Sequence, residues 1–81
     1  MYFVYMLISL DSRKHTYVGY TKNLSHRLKL HNSSKGAKYT KGRSWKIIYS
    51  KKFTSKSEAI KNEYKLKKNY LLRRKIKNKE L

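Results

Sequence analysis

Tyr2–Thr21, YFVYMLISLDSRKHTYVGYT, decides how this chain folds. Its opening run, Tyr2–Ser9, is apolar and aromatic almost without interruption, the pattern of a short strand covered on both faces. Leu10–Lys14 brings Asp11 and Ser12, whose side chains favour turns by hydrogen-bonding nearby backbone. His15–Thr21 (HTYVGYT) is β-branched and aromatic again, so it reads as a second strand returning antiparallel to the first. Gly19 stands out inside it, because a glycine weakens a strand interior and marks a bulge or a close backbone approach.

Working outward from that hairpin, Asn23 is a good N-cap and Leu24–Asn32 has helical spacing. Ser33–Ser44 (SSKGAKYTKGRS) mixes glycines with positive charge and reads as a mobile basic loop. Trp45–Phe53 (WKIIYSKKF) is a third strand. Within Thr54–Glu58, Ser55 and Glu58 have capping-box spacing, opening a helix that should run to about Lys68. Asn69 breaks it, and Tyr70–Lys77 is a final short helix. The order β-β-α-β-α-α describes one α+β domain, residues 1–81, around a small, mainly antiparallel sheet.

The chain has 81 residues. A domain of this size buries roughly 60% of the surface its unfolded chain exposes, so every polar residue turned inward needs a reason. Hydrophobic residues make up 38% and aromatics 14%, with eight tyrosines, which is enough to fold and argues against disorder. Charge is the strongest signal: 22 Lys and Arg stand against four acids, Asp11, Glu58, Glu63 and Glu80, for a net +18. Such a chain seeks polyanions. Tyrosines interleave the basic residues and no long basic helix has a wide apolar face, so nucleic acid is favoured over an acidic membrane surface.

Cysteine is absent, which excludes disulfides and thiolate metal sites. The run Tyr2–Leu10 is too short to span a bilayer and lacks a basic leader, so a cytoplasmic protein, monomeric or weakly dimeric, is expected.

On a wheel of about 100° per residue with Leu24 at zero, Leu28 falls near 40°, His31 near 340° and Arg27 near 300°. Arg27 and His31 thus share the leucine arc, while Ser25, His26 and Lys29 lie opposite. On the same wheel for the next helix, Leu66 and Tyr70 fall close to Ala59, and Ile60 and Tyr64 extend the apolar arc to one side. Glu63 falls inside that arc, whereas Glu58 lies outside it with Lys61 and Lys65. Of the three glutamates only Glu63 points toward the sheet, and an inward carboxylate is costly unless paired, hydrogen-bonded or bound to metal. Each residue also has a plainer reading. Arg27 could snorkel from the arc's edge or bind phosphate without catalysis, and His31 could be a C-terminal residue favoured by the helix dipole. Glu63 could pair with Lys67 or Arg27. Together the three look like a site between the helices and the sheet.

Phe3-Val4-Tyr5, Tyr17-Val18-Gly19, Arg27, His31 and Glu63 resemble, in order and spacing, the GIY-YIG nuclease superfamily. The likeness is nearest to its small single-domain bacterial members and reaches from Tyr2 to Lys68, taking in Ala37–Arg43 and Glu63–Lys68. The departures, Phe-Val-Tyr in the first motif and Val18 in the second, are apolar and bear on strand packing more than on chemistry. No partner domain accompanies the motifs, so substrate specificity does not carry over.

The resemblance implies a three-stranded antiparallel sheet with flanking helices. It implies a metal-dependent endonuclease acting in DNA repair, recombination or processing, with catalytic Tyr5, Tyr17, Arg27, His31 and Glu63, and Gly19 structural in the active site. One Mg²⁺ or Mn²⁺ ion would sit at Glu63, a hard oxygen ligand suited to an ion that keeps most of its waters. Arg27 would fork onto the non-bridging oxygens. Tyr5 is the favoured general base, provided nearby cations lower its pKa from about 10. His31 would orient that tyrosine, share its proton or contact phosphate. Gly19 would let the backbone pack against the first helix or leave room for substrate. Cross-strand aromatic packing is the plainer reading of the two tyrosines.

Nucleic acid, DNA before RNA, is the expected partner, held by Lys38, Tyr39, Lys41, Arg43, Lys67 and Lys68, with Tyr39 placed to stack on a base. A solvated basic loop without that role is the alternative. Two rival functions remain: a binding module with the same fold and little chemistry, and a small ribosome-associated protein.

Overall fold

The computed structural model describes residues 1–80. Strands β1 (Tyr2–Ser9), β2 (Thr16–Thr21) and β3 (Trp45–Phe53) form an antiparallel sheet in the order β2-β1-β3. Helix α1 (Leu24–Asn32) follows the hairpin, and α2 (Lys56–Lys68) and α3 (Tyr70–Glu80) follow β3. The order β-β-α-β-α-α and the three-stranded sheet are as expected.

β1 is the central strand, and Val4–Ser9 are all buried, as its uninterrupted apolar run requires. Its side chains alternate between two cores. Val4 and Met6 pack with Val18, Ala59 and Leu66 on the face covered by α2 and α3. Tyr5 and Leu7 pack with Trp45, Tyr17, Leu24 and Leu28 on the face covered by α1. The return to β2 is tied by Asp11, whose Oδ1 accepts from Ser9 Oγ at 2.8 Å and from the Arg13 and Lys14 amides at 3.2 Å. β2 starts at Thr16, one residue later than the spacing predicts, with the His15 carbonyl accepting from the Ser9 amide at 2.8 Å just before it.

β3 is not a uniform strand. Met6 pairs with Tyr49 but Leu7 pairs with Ile47, leaving Ile48 as an extra residue at a bulge. Strand facing has period two, so the bulge turns Trp45 and Ile47 toward the α1 side and Tyr49 and Phe53 toward α2 and α3.

Two of the predicted helix starts are built as expected. Asn23 Oδ1 accepts from the His26 amide at 3.1 Å and Ser55 Oγ from the Glu58 amide at 3.2 Å. Asn69 ends α2 and also caps α3, its Oδ1 accepting from the Leu72 amide at 3.1 Å. α3 runs three residues past the expected Lys77, held by a 2.8 Å ion pair between Lys46 and Glu80.

Two expectations fail. Ile60, Tyr64 and Tyr70 are exposed rather than in the inward arc of α2, which centres on Ala59 and Leu66 with Asn62 and Glu63 at its margins. Ser33–Ser44 is not a free loop either. It forms a 3-10 turn at Lys38–Thr40, Thr40 is 0% exposed, and the Trp45 indole donates to the Thr40 carbonyl at 3.0 Å. Asn32 clamps its far end, accepting from the Trp45 amide at 2.6 Å and donating to the Trp45 carbonyl at 3.2 Å.

Candidate active site

A cleft of about 570 Å³ opens along the free edge of β2, lined among others by Tyr5, Tyr17, Gly19, Arg27 and Glu63. Tyr2 and Tyr20 come to it from one face of the sheet, and Tyr5, Tyr17 and Gly19 from the other. Four of the five residues expected to be catalytic therefore meet at one surface.

Gly19 pairs directly with Tyr5. A Cβ at Gly19 would lie 2.6 Å from the Tyr5 hydroxyl and 3.2 Å from the Tyr17 ring. The glycine is needed because the phenol crosses over it, rather than for packing against α1. Tyr17, diagonal to Tyr5 in the register, sets its ring 6.5 Å from that of Tyr5 and 5.1 Å from that of His31.

His31 is the fifth residue, and it lies behind the cleft. It is 1% exposed, with Nε2 2.8 Å from the Tyr5 hydroxyl and Nδ1 2.9 Å from the Thr40 hydroxyl. It cannot touch phosphate. Of its three expected roles, orienting Tyr5 and sharing its proton are the ones compatible with this position.

Burial pushes the Tyr5 phenol well above its ordinary pKa, with Tyr17 and Glu63 adding to the rise and Arg27 opposing it. Tyr17 is raised by burial and Glu63, again against Arg27. Arg27 does pull the phenol down, as expected of a nearby cation, but desolvation of a phenolate outweighs one guanidinium. His31 is held below the ordinary imidazole value by burial and then by Arg27, so it is neutral near pH 7.

Glu63 is 18% exposed at its side chain and has Lys67 at 3.7 Å. Among the described residues it is the sole carboxylate lining the cleft. Among the described residues no group of three or more His, Cys, Asp or Glu could hold a metal ion. The donor set therefore does not suit a transition metal caged by side chains. It does suit a hydrated Mg²⁺, or Mn²⁺, that takes its other ligands from water and phosphate.

The expected nucleic-acid contacts divide. Lys38 and Lys41 are exposed on the loop, and Tyr39, 51% exposed, stacks on Tyr17 at 6.1 Å and 22°. Lys67 lines a groove beside Tyr17 and Tyr39 together with Arg73. Arg43 is held by Asp11 at 3.2 Å, and Lys68 sits over the Tyr64 ring on the outer side of α2, away from the cleft. Sequence reading missed Lys22, His26 and Lys56, all of which line the cleft. Asn23 and His26 belong to the start of α1 and Lys56 opens α2, so two helix N-termini face this space and favour an anion there. Asn23 and Ser55 were legible as caps, and following the two capped starts to a shared opening would have found these cations.

A small α+β domain with tyrosines on a hairpin, an arginine on the next helix and a glutamate on a later one defines a nuclease class, and residues 1–77 match the model of the GIY-YIG catalytic domain. The chain belongs to the GIY-YIG family. It is 49% identical over 67 residues to a UPF0213 protein of Oceanobacillus iheyensis, covering 82% of this chain and 76% of that one. A UPF0213 protein of Staphylococcus epidermidis is 42% identical over 77 residues, covering 94% and 90%. The solution NMR structure of a UPF0213 protein from Bacillus halodurans superposes with a TM-score of 0.53 at 36% identity, over 93% of this chain and 80% of that one.

Proposed function

We propose that the chain is a divalent-metal-dependent endonuclease that hydrolyses nucleic-acid phosphodiesters at the β2-edge cleft. The observation that carries this is the meeting of Tyr5, Tyr17, Arg27 and Glu63 on one opening, with His31 bonded behind Tyr5. A carboxylate, a guanidinium and two phenols in a basic cleft can serve in-line phosphodiester hydrolysis as ion ligand, phosphate clamp and proton acceptor.

Glu63 would hold the ion. When bound, Mg²⁺ supplies positive charge against the phosphate and the leaving oxygen. Arg27 fixes the non-bridging oxygens through a planar fork that lysine lacks. Tyr5 accepts a proton from the attacking water while passing its own to Nε2 of His31. The phenol gives up its proton as it takes the water's, so no free phenolate, which burial disfavours, has to persist. The imidazole takes the charge against its own burial and Arg27, with Thr40 hydrogen-bonded at Nδ1. Tyr17 walls the water's side of the cleft, and Lys22, His26 and Lys56 bind the flanking phosphates.

Incubation of the purified protein with single-stranded, duplex and branched DNA tests this. Cleavage is expected in Mg²⁺ or Mn²⁺ and is lost in EDTA and in Glu63→Ala. No cleavage of any substrate, or full activity in Glu63→Ala, overturns the proposal. The Glu63–Lys67 pair supports a second reading, a binding module in which the carboxylate needs no metal. That reading requires tight, salt-sensitive binding indifferent to EDTA and to Glu63→Ala.

No helix among the described residues is long and apolar enough to cross a membrane.

A further inference from the structure

Thr40 lies 2.8 Å from the Ala37 carbonyl, to which its hydroxyl donates. A carbonyl oxygen has no proton to give, so the single hydroxyl proton of Thr40 is committed there. The same Oγ1 stands 2.9 Å from Nδ1 of His31. With its proton already used, it can only accept, and Nδ1 must be the ring nitrogen that carries hydrogen. A neutral imidazole has one such nitrogen, so Nε2 is left bare toward the Tyr5 hydroxyl at 2.8 Å.

We infer that Thr40 is a positioning residue that sets the tautomer of His31, fixing Nε2 as the acceptor of the Tyr5 proton. The hydrogen bonds then run in one direction, from Tyr5 to His31, from His31 to Thr40 and from Thr40 to the Ala37 carbonyl. The inference rests on the nuclease reading only for its catalytic consequence.

The rest of the loop serves the same end. A Cβ on Gly36 would overlap the imidazole, so the backbone there closes one side of the ring. The Trp45 indole holds the Thr40 carbonyl at 3.0 Å, and Thr40 is 0% exposed, so no water replaces its hydroxyl. The groups around the imidazole are Tyr5 from β1, Tyr17 from β2, Arg27 from α1, and Gly36 and Thr40 from the loop. Among the described residues, the Thr40 hydroxyl is the hydrogen-bond partner of Nδ1. The segment Ser33–Ser44 is thus more than a basic loop for phosphate. Its inner side organises the proton path.

Long-range ¹H–¹⁵N correlation of the histidine side chains tests the tautomer directly, at a pH above the ordinary imidazole range, with His31 assigned by the signal lost in His31→Asn. Wild type is expected to show Nδ1 protonated and Nε2 bare. Thr40→Ser should keep that pattern, and Thr40→Val should shift His31 toward the Nε2-protonated form. Cleavage should fall about ten- to a hundred-fold in Thr40→Val, the loss typical when the partner orienting a histidine is removed, and return in Thr40→Ser. Protonated Nε2 in wild type, or an unchanged tautomer in Thr40→Val, overturns the inference. Should Thr40→Val not fold, the wild-type spectrum alone decides. A wild-type protein with Nδ1 protonated but no cleavage would sink the nuclease reading while leaving the tautomer assignment in place.

Discussion

The hydroxyl of Tyr5 lies so close over Gly19 that a single added methyl would sit 2.6 Å from it. Tyr5 is 2% exposed and bonded to His31, so its ring has nowhere to retreat. Gly19 is thereby explained by the chemistry of its neighbour across the hairpin.

Gly19→Ala should therefore move the phenol off its line with Nε2. Overpacking of this kind costs about 1–3 kcal/mol, and in a domain this small each kcal/mol shifts Tm by roughly 4–8 °C. We expect Tm to fall by at least about 4 °C and cleavage by more than about tenfold. Calorimetry and a cleavage assay check the pair. Unchanged activity would mean that the position of Tyr5 is not critical.

Glu63→Gln should separate chemistry from binding. The Lys67 contact is a partly exposed i,i+4 pair worth at most about 0.5 kcal/mol, so stability should hardly change. Metal-dependent cleavage should drop at least about a hundredfold, while DNA affinity measured in EDTA stays within about twofold of wild type.

The pH profile has a stated direction. His31 must be neutral to take the Tyr5 proton, and its pKa is lowered by burial and by Arg27. Activity should therefore hold as pH falls to the ordinary imidazole value of about 6.5 and be lost only below it. Stability follows the same sign. The unfolded chain protonates this histidine first, so its contribution is fully present above about pH 6.5 and fades as pH falls toward the folded pKa. Tyr5, raised in the folded state, acts at the other end, its contribution fading as pH rises past about 10. Rate and denaturation measured across pH check both, and in His31→Asn the acidic loss of stability should shrink.

Salt dependence sorts the loop cations. If about five cations meet B-form DNA, log K should fall with log salt at a slope near −4.5, and each of Lys38→Ala and Lys41→Ala should reduce it by about 0.9. Arg43→Ala should change it less, because Arg43 is already paired with Asp11. Lys68→Ala should not change it, since Lys68 lies over Tyr64 on the outer side of α2. Fluorescence anisotropy over a salt series distinguishes these.

Most of the architecture was legible because its signals are local. An unbroken apolar run in β1, a β-branched return, and Asn23 and Ser55 before helical spacing need no tertiary information. Arg27, His31 and Glu63 could be singled out from helix faces alone, and the two tyrosines from the family resemblance. What escaped depends on distant partners. Ile60, Tyr64 and Tyr70 read as inward from the sequence because α2 has so few apolar residues that Ala59, Asn62, Glu63 and Leu66 do not mark a clear arc. The bulge at Ile48 inverts the facing of β3 midway, and a strand's composition does not report its register. Ser33–Ser44 reads as a solvated loop because its order comes from Thr40, Gly36 and Trp45 closing on a histidine earlier in the chain. Lys22 and Lys56 look like ordinary surface lysines until the helix starts that carry them face one cleft.

A crystal soaked in Mn²⁺ and measured at the manganese absorption edge tests the central claim most directly. One anomalous peak is expected against the Glu63 carboxylate, on the side facing Tyr5 and Tyr17, and it should vanish in Glu63→Gln. Cleavage-competent crystals with no peak there, or with the ion bound elsewhere, would contradict a metal-dependent site built on this glutamate.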